Sequence, residues 1–195
     1  MSKPLLEIPF NLKTPMPTKK VLEIYEKSVV YDGYEYDLDD LEGISSSVTK
    51  HYINGVYTGT TFAFVIYFDS GDIKISFRQL KNKDKDNTGS YNLLVKVARE
   101  FFGPRIVNRI VKEIFDEGEY KVGKLIFSAD SIKQKGLFGG KELSYEDITN
   151  YEVGSGAMIL KTADKKSIRT LLGVKNAYLL PDICQAMYDA NNKTF

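Results

Sequence analysis

KLIFSADSIKQKGLFGGKELSYEDITNY, residues 124–151, has a counterpart far upstream in LEIYEKSVVYDGYEYDLDDLEGI, residues 22–44. Pairing Leu125 with Leu22 also pairs Phe127 with Ile24 and Ser131 with Ser28. Past a four-residue difference in a turn, Glu142 meets Glu35, Tyr145 meets Leu38, and Asp147-Ile148 meets Asp40-Leu41. Downstream, FVIYFDSGDIKISF (residues 64–77) parallels MILKTADKKSIRTLL (residues 158–172), each a strand, a short polar turn and a second strand. Each series then runs into an amphipathic stretch, YNLLVKVAREFF from Tyr91 and NAYLLPDICQAMYD from Asn176. A shared order of local signals at near-constant spacing is the signature of a repeated structural unit.

The local chemistry within the units is that of antiparallel strands. Tyr34, Tyr36 and Leu38 alternate with Glu35, Asp37 and Asp39, the period of a half-buried strand. Residues 62–68 are apolar at both parities, which predicts a central or doubly covered strand. Asp69-Ser70-Gly71-Asp72 is a turn, with Gly71 supplying positive φ. From Ser90 the period lengthens: Leu94, Val97, Ala98 and Phe101 share one helical face, and Gly103-Pro104 stops or kinks that helix. Ile106, Val107, Ile110, Val111 and Ile114 continue a helical stripe to Gly118, read as a connector between the units. Residues 80–90, LKNKDKDNTGS, carry no hydrophobic period and read as a solvated loop. Asn176 is the expected N-cap of the last helix, with Pro181 near its first turn. Four of the six prolines fall in residues 1–20, which therefore read as an extended arm whose Leu6, Ile8 and Phe10 alternate as a strap.

This order of strands and closing helix resembles the pleckstrin-homology-like (PH-like) fold, the bacterial PH-like domains in particular. The resemblance is carried by KLIFSADSIKQKG (124–136), ELSYEDITNYEV (142–153), AMILKTADKKSIRTLL (157–172) and VKNAYLLPDICQAM (174–187). Where such domains often have Trp before the Asp-Ile step, this chain has Tyr145. The resemblance implies an α+β chain of two PH-like units, each a curled antiparallel sheet (a small open barrel) closed by a C-terminal helix. The expected boundaries are an N-terminal arm at 1–20, a first PH-like domain at 21–118 and a second at 119–195.

Composition narrows the function. The 195 residues carry 27 Lys+Arg against 26 Asp+Glu, a net charge of +1, which argues against a broad nucleic-acid surface. Residues 1–120 sum to −2 and residues 121–195 to +3, so the basic bias sits in the second unit. No apolar run approaches the roughly 20 residues of a spanning helix, and residues 1–20 lack the apolar core of a secretory signal. The one cysteine, Cys184, has no partner for an intramolecular disulfide, which fits a reducing, cytoplasmic setting.

Catalytic and metal readings find little footing. His51 is the only histidine, and it stands beside the Asn54-Gly55 turn with no local nucleophile. One His and one Cys cannot build a structural zinc site. The acidic run Asp32, Glu35, Asp37, Asp39, Asp40, Glu42 fails the EF-hand template and reads as a solvated strand face. GLFGGKE (136–142) is one residue short of a phosphate loop and lies between strands, so it is not a nucleotide site. No catalytic, cofactor-binding or metal residue is assigned.

The same hairpin is the candidate binding surface. Leu137 and Phe138 at its tip, flanked by Lys133, Lys135 and Lys141, suit shallow contact with a lipid interface or a protein. The expectation is a non-enzymatic, cofactor-free tandem PH-like protein, cytoplasmic and peripheral to the membrane where it meets one. It engages a protein segment or an anionic membrane surface. The alternatives are a homodimeric assembly module, and a small-molecule carrier or enzyme with a tyrosine-lined cavity.

Overall fold

The structure, a computed structural model, describes residues 3–13, 17–80, 86–136, 140–154 and 156–192. Leu137 and Phe138 therefore lie outside the described residues. The chain divides into two compact units, Met1–Phe102 and Gly103–Phe195.

The first unit opens with a four-stranded antiparallel meander: β1 (Leu6–Lys13), β2 (Pro17–Ile24), β3 (Ser28–Tyr31) and β4 (Tyr34–Asp37). A 3-10 turn at Leu38–Asp40 leads into a three-stranded meander of β5 (Leu41–Ile53), β6 (Val56–Phe68) and β7 (Ile73–Leu80). Helix α1 (Asp86–Val97) follows. The segment read from sequence as an arm is the first hairpin of this sheet, paired from Leu6↔Ile24 to Lys13↔Pro17. The prolines misled because they forbid helix and central strand, yet β1 is an edge strand, where a missing N–H on the free side costs no ladder bond. Asp32-Gly33 and Asn54-Gly55 make the β3–β4 and β5–β6 turns with positive φ at both residues (55° and 82°; 50° and 77°), the tight turn whose twist matches paired strands.

The core follows from alternation. Phe62, Phe64, Ile66 and Phe68 are buried while Ala63, Val65 and Tyr67 are half-buried, as expected of β6 at the centre of its sheet. Helix α1 packs on β1 and β7. Tyr91 of α1 closes an aromatic cluster with Phe62 (ring centroids 4.9 Å) and Phe77 (6.3 Å), and Leu94 is fully buried. The helix starts earlier than its apolar period indicates, at Asp86. Gly89 and the Asp, Asn, Thr and Ser around it are weak helix formers, so propensity concealed the first turn. At Ala98–Phe102 the backbone widens to a π turn just before Gly103-Pro104. A proline strips the carbonyl four residues earlier of its donor and crowds it, and a wider turn relieves that conflict.

The second unit begins with α2 (Gly103–Glu117), ended by Gly118 at φ +89° with its N–H on the Ile114 carbonyl at 2.9 Å. The helix belongs with this unit, packing on α3 and β8, so the boundary falls at 102/103 instead of after 118. A four-stranded meander follows: β8 (Tyr120–Val122), β9 (Leu125–Phe127), β10 (Ser131–Gln134) and β11 (Lys141–Ser144). Next come three strands, β12 (Ile148–Gly154), β13 (Ala157–Thr162) and β14 (Ser167–Leu171), then a 3-10 turn (Ala177–Leu179) and α3 (Leu180–Asn192). Ile106, Ile110 and Ile114 of α2, Phe127, Leu160, and Ile183 and Met187 of α3 are all buried. Asn176 is not a side-chain cap. Its backbone is left-handed (φ 63°), and its buried side chain donates to the Tyr120 hydroxyl at 2.9 Å.

Details recur at matching positions. The Tyr25 N–H bonds the Ser28 carbonyl at 2.8 Å, and Ser128 bonds Ser131 the same way at 2.9 Å, each 103 residues on. The Leu41 N–H returns to the Leu38 carbonyl as Ile148 returns to Tyr145, each 107 residues on. The ladder between the first two strands of each three-stranded sheet gains one extra residue at Glu42 and at Thr149, again 107 apart. The chain is thus α+β and dominantly antiparallel. Its four sheets share no ladder among the described residues, so neither unit is a closed barrel.

Candidate functional site

One concavity of the second unit lies between β12 and α3. Strand β12 pairs only with β13, leaving its other edge free of strand partners among the described residues. Every described residue from Thr149 to Gly154 is exposed, including Tyr151 and Val153. Ile148, Thr149, Asn150 and Tyr151 form one side of a cavity of about 390 Å³. Pro181, Cys184, Gln185 and Tyr188 of α3 form the other side, with Tyr145 and Leu160 also lining it. The turn and helix hold this gap open. Tyr145, opening the turn before β12, donates its hydroxyl to the Ser128 carbonyl at 2.7 Å, and burial pushes its phenol well above the usual range. Burial likewise pushes the Cys184 thiol up to about 12, so at neutral pH it is a small apolar lining group instead of a nucleophile. The bulge at Thr149 re-aims the strand at the groove mouth.

Such a groove offers two kinds of contact. A bare strand edge presents alternating N–H and C=O groups to an extended backbone. Tyr151 and Tyr188 add amphipathic rings, and among the described residues Glu146 is the one charged side chain in the lining.

The lysines chosen from sequence are dispersed. Lys133, on β10, faces Glu142 across the β10–β11 ladder and pairs with it at 3.3 Å. The Ser131 hydroxyl, with Lys133 beside it, holds the Glu142 carboxyl below the usual carboxylate range. Lys141 donates to the Ser167 carbonyl at 3.0 Å. Only Lys135 joins other lysines: with Lys121, Lys124, Ile126 and two glycines it lines a cavity of about 470 Å³ beside the β8–β9 turn. Lys121 is also paired with Glu119 at 2.6 Å. Sequence reasoning grouped these lysines by nearness in the chain. The cross-strand register regroups them, bringing Lys124 to Lys135 through a backbone bond. His51 accepts or donates a bond with the Thr61 hydroxyl at 2.8 Å. Among the described residues, no three His, Cys, Asp or Glu side chains cluster as metal ligands do. The acidic run is instead used locally, Asp37 capping the 3-10 turn through the Asp39 N–H at 2.9 Å. No described helix is long and apolar enough to cross a membrane.

No family model matches the chain, and no curated protein does. Among solved structures it is similar to one titled "Structure of the Spt16D Pob3N heterodimer", at 15% identity and a TM-score of 0.27, covering 87% of this chain and 96% of that one.

Proposed function

We propose that the chain is a non-enzymatic binding protein built from two PH-like units, and that the second unit receives an extended segment of a partner protein between β12 and α3. The tandem reading is supported by the run of four strands, three strands and a following helix in each unit, with turn bonds and a bulge repeating at matched positions. The binding reading rests on one observation: an edge strand exposed from Thr149 to Gly154 alongside an open groove lined by Tyr145, Leu160 and Cys184. An added strand satisfies the free edge, and the groove takes every second side chain. The test is to pan a random peptide phage library on the full chain and map selected peptides by amide chemical shifts. Shifts concentrated in residues 148–154, lost in Gln185→Trp, support the reading. Peptides that leave β12 unmoved overturn it.

A second reading has its own observation in the Lys121, Lys124 and Lys135 cavity, which suits a polyanionic group. Titration with pyrophosphate at low salt shifts the Gly123 and Lys124 amides if the cavity holds anions. No change, or an unaltered response in K124E/K135E, removes it.

A further inference from the structure

The β5–β6 hairpin of the first unit serves no purpose in the function proposed above. Both strands have 13 residues, and the half of the hairpin nearest its turn carries exposed apolar side chains: Val48 at 48%, Tyr52 at 58%, Ile53 at 63% and Val56 at 56% accessibility. Seven residues, Ser47 to Ile53, follow the last buried position of β5, roughly 20 Å of strand at about 3.3 Å per residue.

The chemistry is graded along the hairpin axis. At the end, Ile53 faces Val56 across the Asn54-Gly55 turn. One step back, Tyr52 faces Tyr57, their rings edge to face with centroids 5.8 Å apart. Behind them lies a hydroxyl and imidazole band: Tyr57 with Thr60 at 2.7 Å, His51 with Thr61 at 2.8 Å, and Thr58 on the His51 carbonyl at 3.2 Å. At the same depth Lys50 is exposed on β5, opposite Thr60, and Arg78 is exposed on β7, opposite Thr61. No Asp or Glu occurs from Gly43 to Phe68.

We propose that this tip is a membrane-contact wedge. Ile53 and Val56 enter the boundary between headgroups and acyl chains, Tyr52 and Tyr57 lie at headgroup level, and Lys50 and Arg78 meet anionic lipid phosphates. The order aliphatic, tyrosine, cation matches the order of environments met on entering a bilayer from water. Shape selects lipid over protein. A convex two-stranded tip offers a flat partner far less than the roughly 800 Å² per side of a stable protein interface. A bilayer surrounds the same tip on all sides. The missing acidic charge removes repulsion from an anionic surface, which a neutral protein partner would not require.

The chain contains no tryptophan, so Ile53→Trp supplies a single reporter at the tip. With vesicles of phosphatidylcholine and phosphatidylserine, the full chain co-sediments, and I53W emission shifts to the blue and is quenched by lipids brominated in the acyl chain. I53D/V56D lowers the bound fraction about tenfold, the effect of losing two half-inserted aliphatic side chains. K50E weakens binding less, and binding falls as salt rises. Circular dichroism of I53D/V56D matching the parent shows that the fold is kept, and its peptide binding at β12 is unchanged. The proposal is overturned if I53W emission does not move on adding vesicles, or if I53D/V56D binds vesicles as the parent does. It is equally overturned if no vesicle binding occurs and light scattering shows a concentration-dependent dimer that I53D/V56D abolishes, which assigns the tip to a second copy.

Discussion

Tyr145 shows how one side chain ties a groove to its scaffold. It is buried, and its hydroxyl reaches the Ser128 carbonyl at the turn between β9 and β10. Tyr145→Phe removes the donor, leaves that carbonyl short of a partner and keeps the ring, so destabilisation of about 1–2 kcal/mol is expected. Urea denaturation followed by circular dichroism reads this as a lowered midpoint at unchanged slope. A larger loss, with a changed slope, would mean that the turn itself comes apart. The sequence marked Tyr145 as the residue before the Asp-Ile step, but not its hydroxyl's partner 17 positions upstream. A hydrogen bond across a sheet leaves no periodic trace. Asn176 is the converse case. Its type suggested a cap, and the residue does open the 3-10 turn before α3, but the left-handed backbone turns the amide toward Tyr120.

Among the elements, strands were the more legible, because each alternates about a buried face. Helix α1 was legible at its buried Leu94, with buried Ala98 just beyond its end, and hidden at its start, where the sequence carries loop-like residues. That start is held by tertiary packing more than by propensity. Leu94→Ala therefore costs about 2–5 kcal/mol and loosens α1 from β1 and β7, read in hydrogen exchange as faster exchange over residues 91–97. Strand β12 was the least legible as a site. Exposed from Thr149 to Gly154, it shows no alternation to betray its environment, and the groove beside it draws Tyr145 and Tyr151 from one stretch and Tyr188 from another some 40 residues on. Of the five residues proposed from sequence, Lys133, Lys135 and Lys141 lie elsewhere, and Leu137 and Phe138 fall outside the described residues.

At the scale of the molecule, the division at Phe102/Gly103 has a direct test. The stripe of Ile106, Ile110 and Ile114 is buried, and α2 packs on α3 and β8. A fragment of residues 103–195 should unfold in one cooperative thermal transition, whereas residues 119–195 should lose cooperativity and bind a hydrophobic dye. Equal cooperativity in both would restore the boundary that the sequence suggested, after Gly118. What the sequence suggested at this scale was a duplication of order, through Leu22 with Leu125 and Ser28 with Ser131, and the proposed tandem reading starts from it. The first hairpin escaped it because prolines in β1 and β2 have no matching feature before Leu125.

The paired bulges at Glu42 and Thr149 carry a consequence for behaviour in concentrated solution. Both interrupt the strand that forms the outer margin of its sheet, β5 in one unit and β12 in the other. A flat, regular margin rich in exposed tyrosine and valine is a template on which identical chains stack into fibrils. One surplus residue bends the margin and breaks the repeat that stacking needs, while a single guest strand can still bend to follow it. On the proposed reading, such a margin stays open to a guest strand while resisting stacking on its own copies.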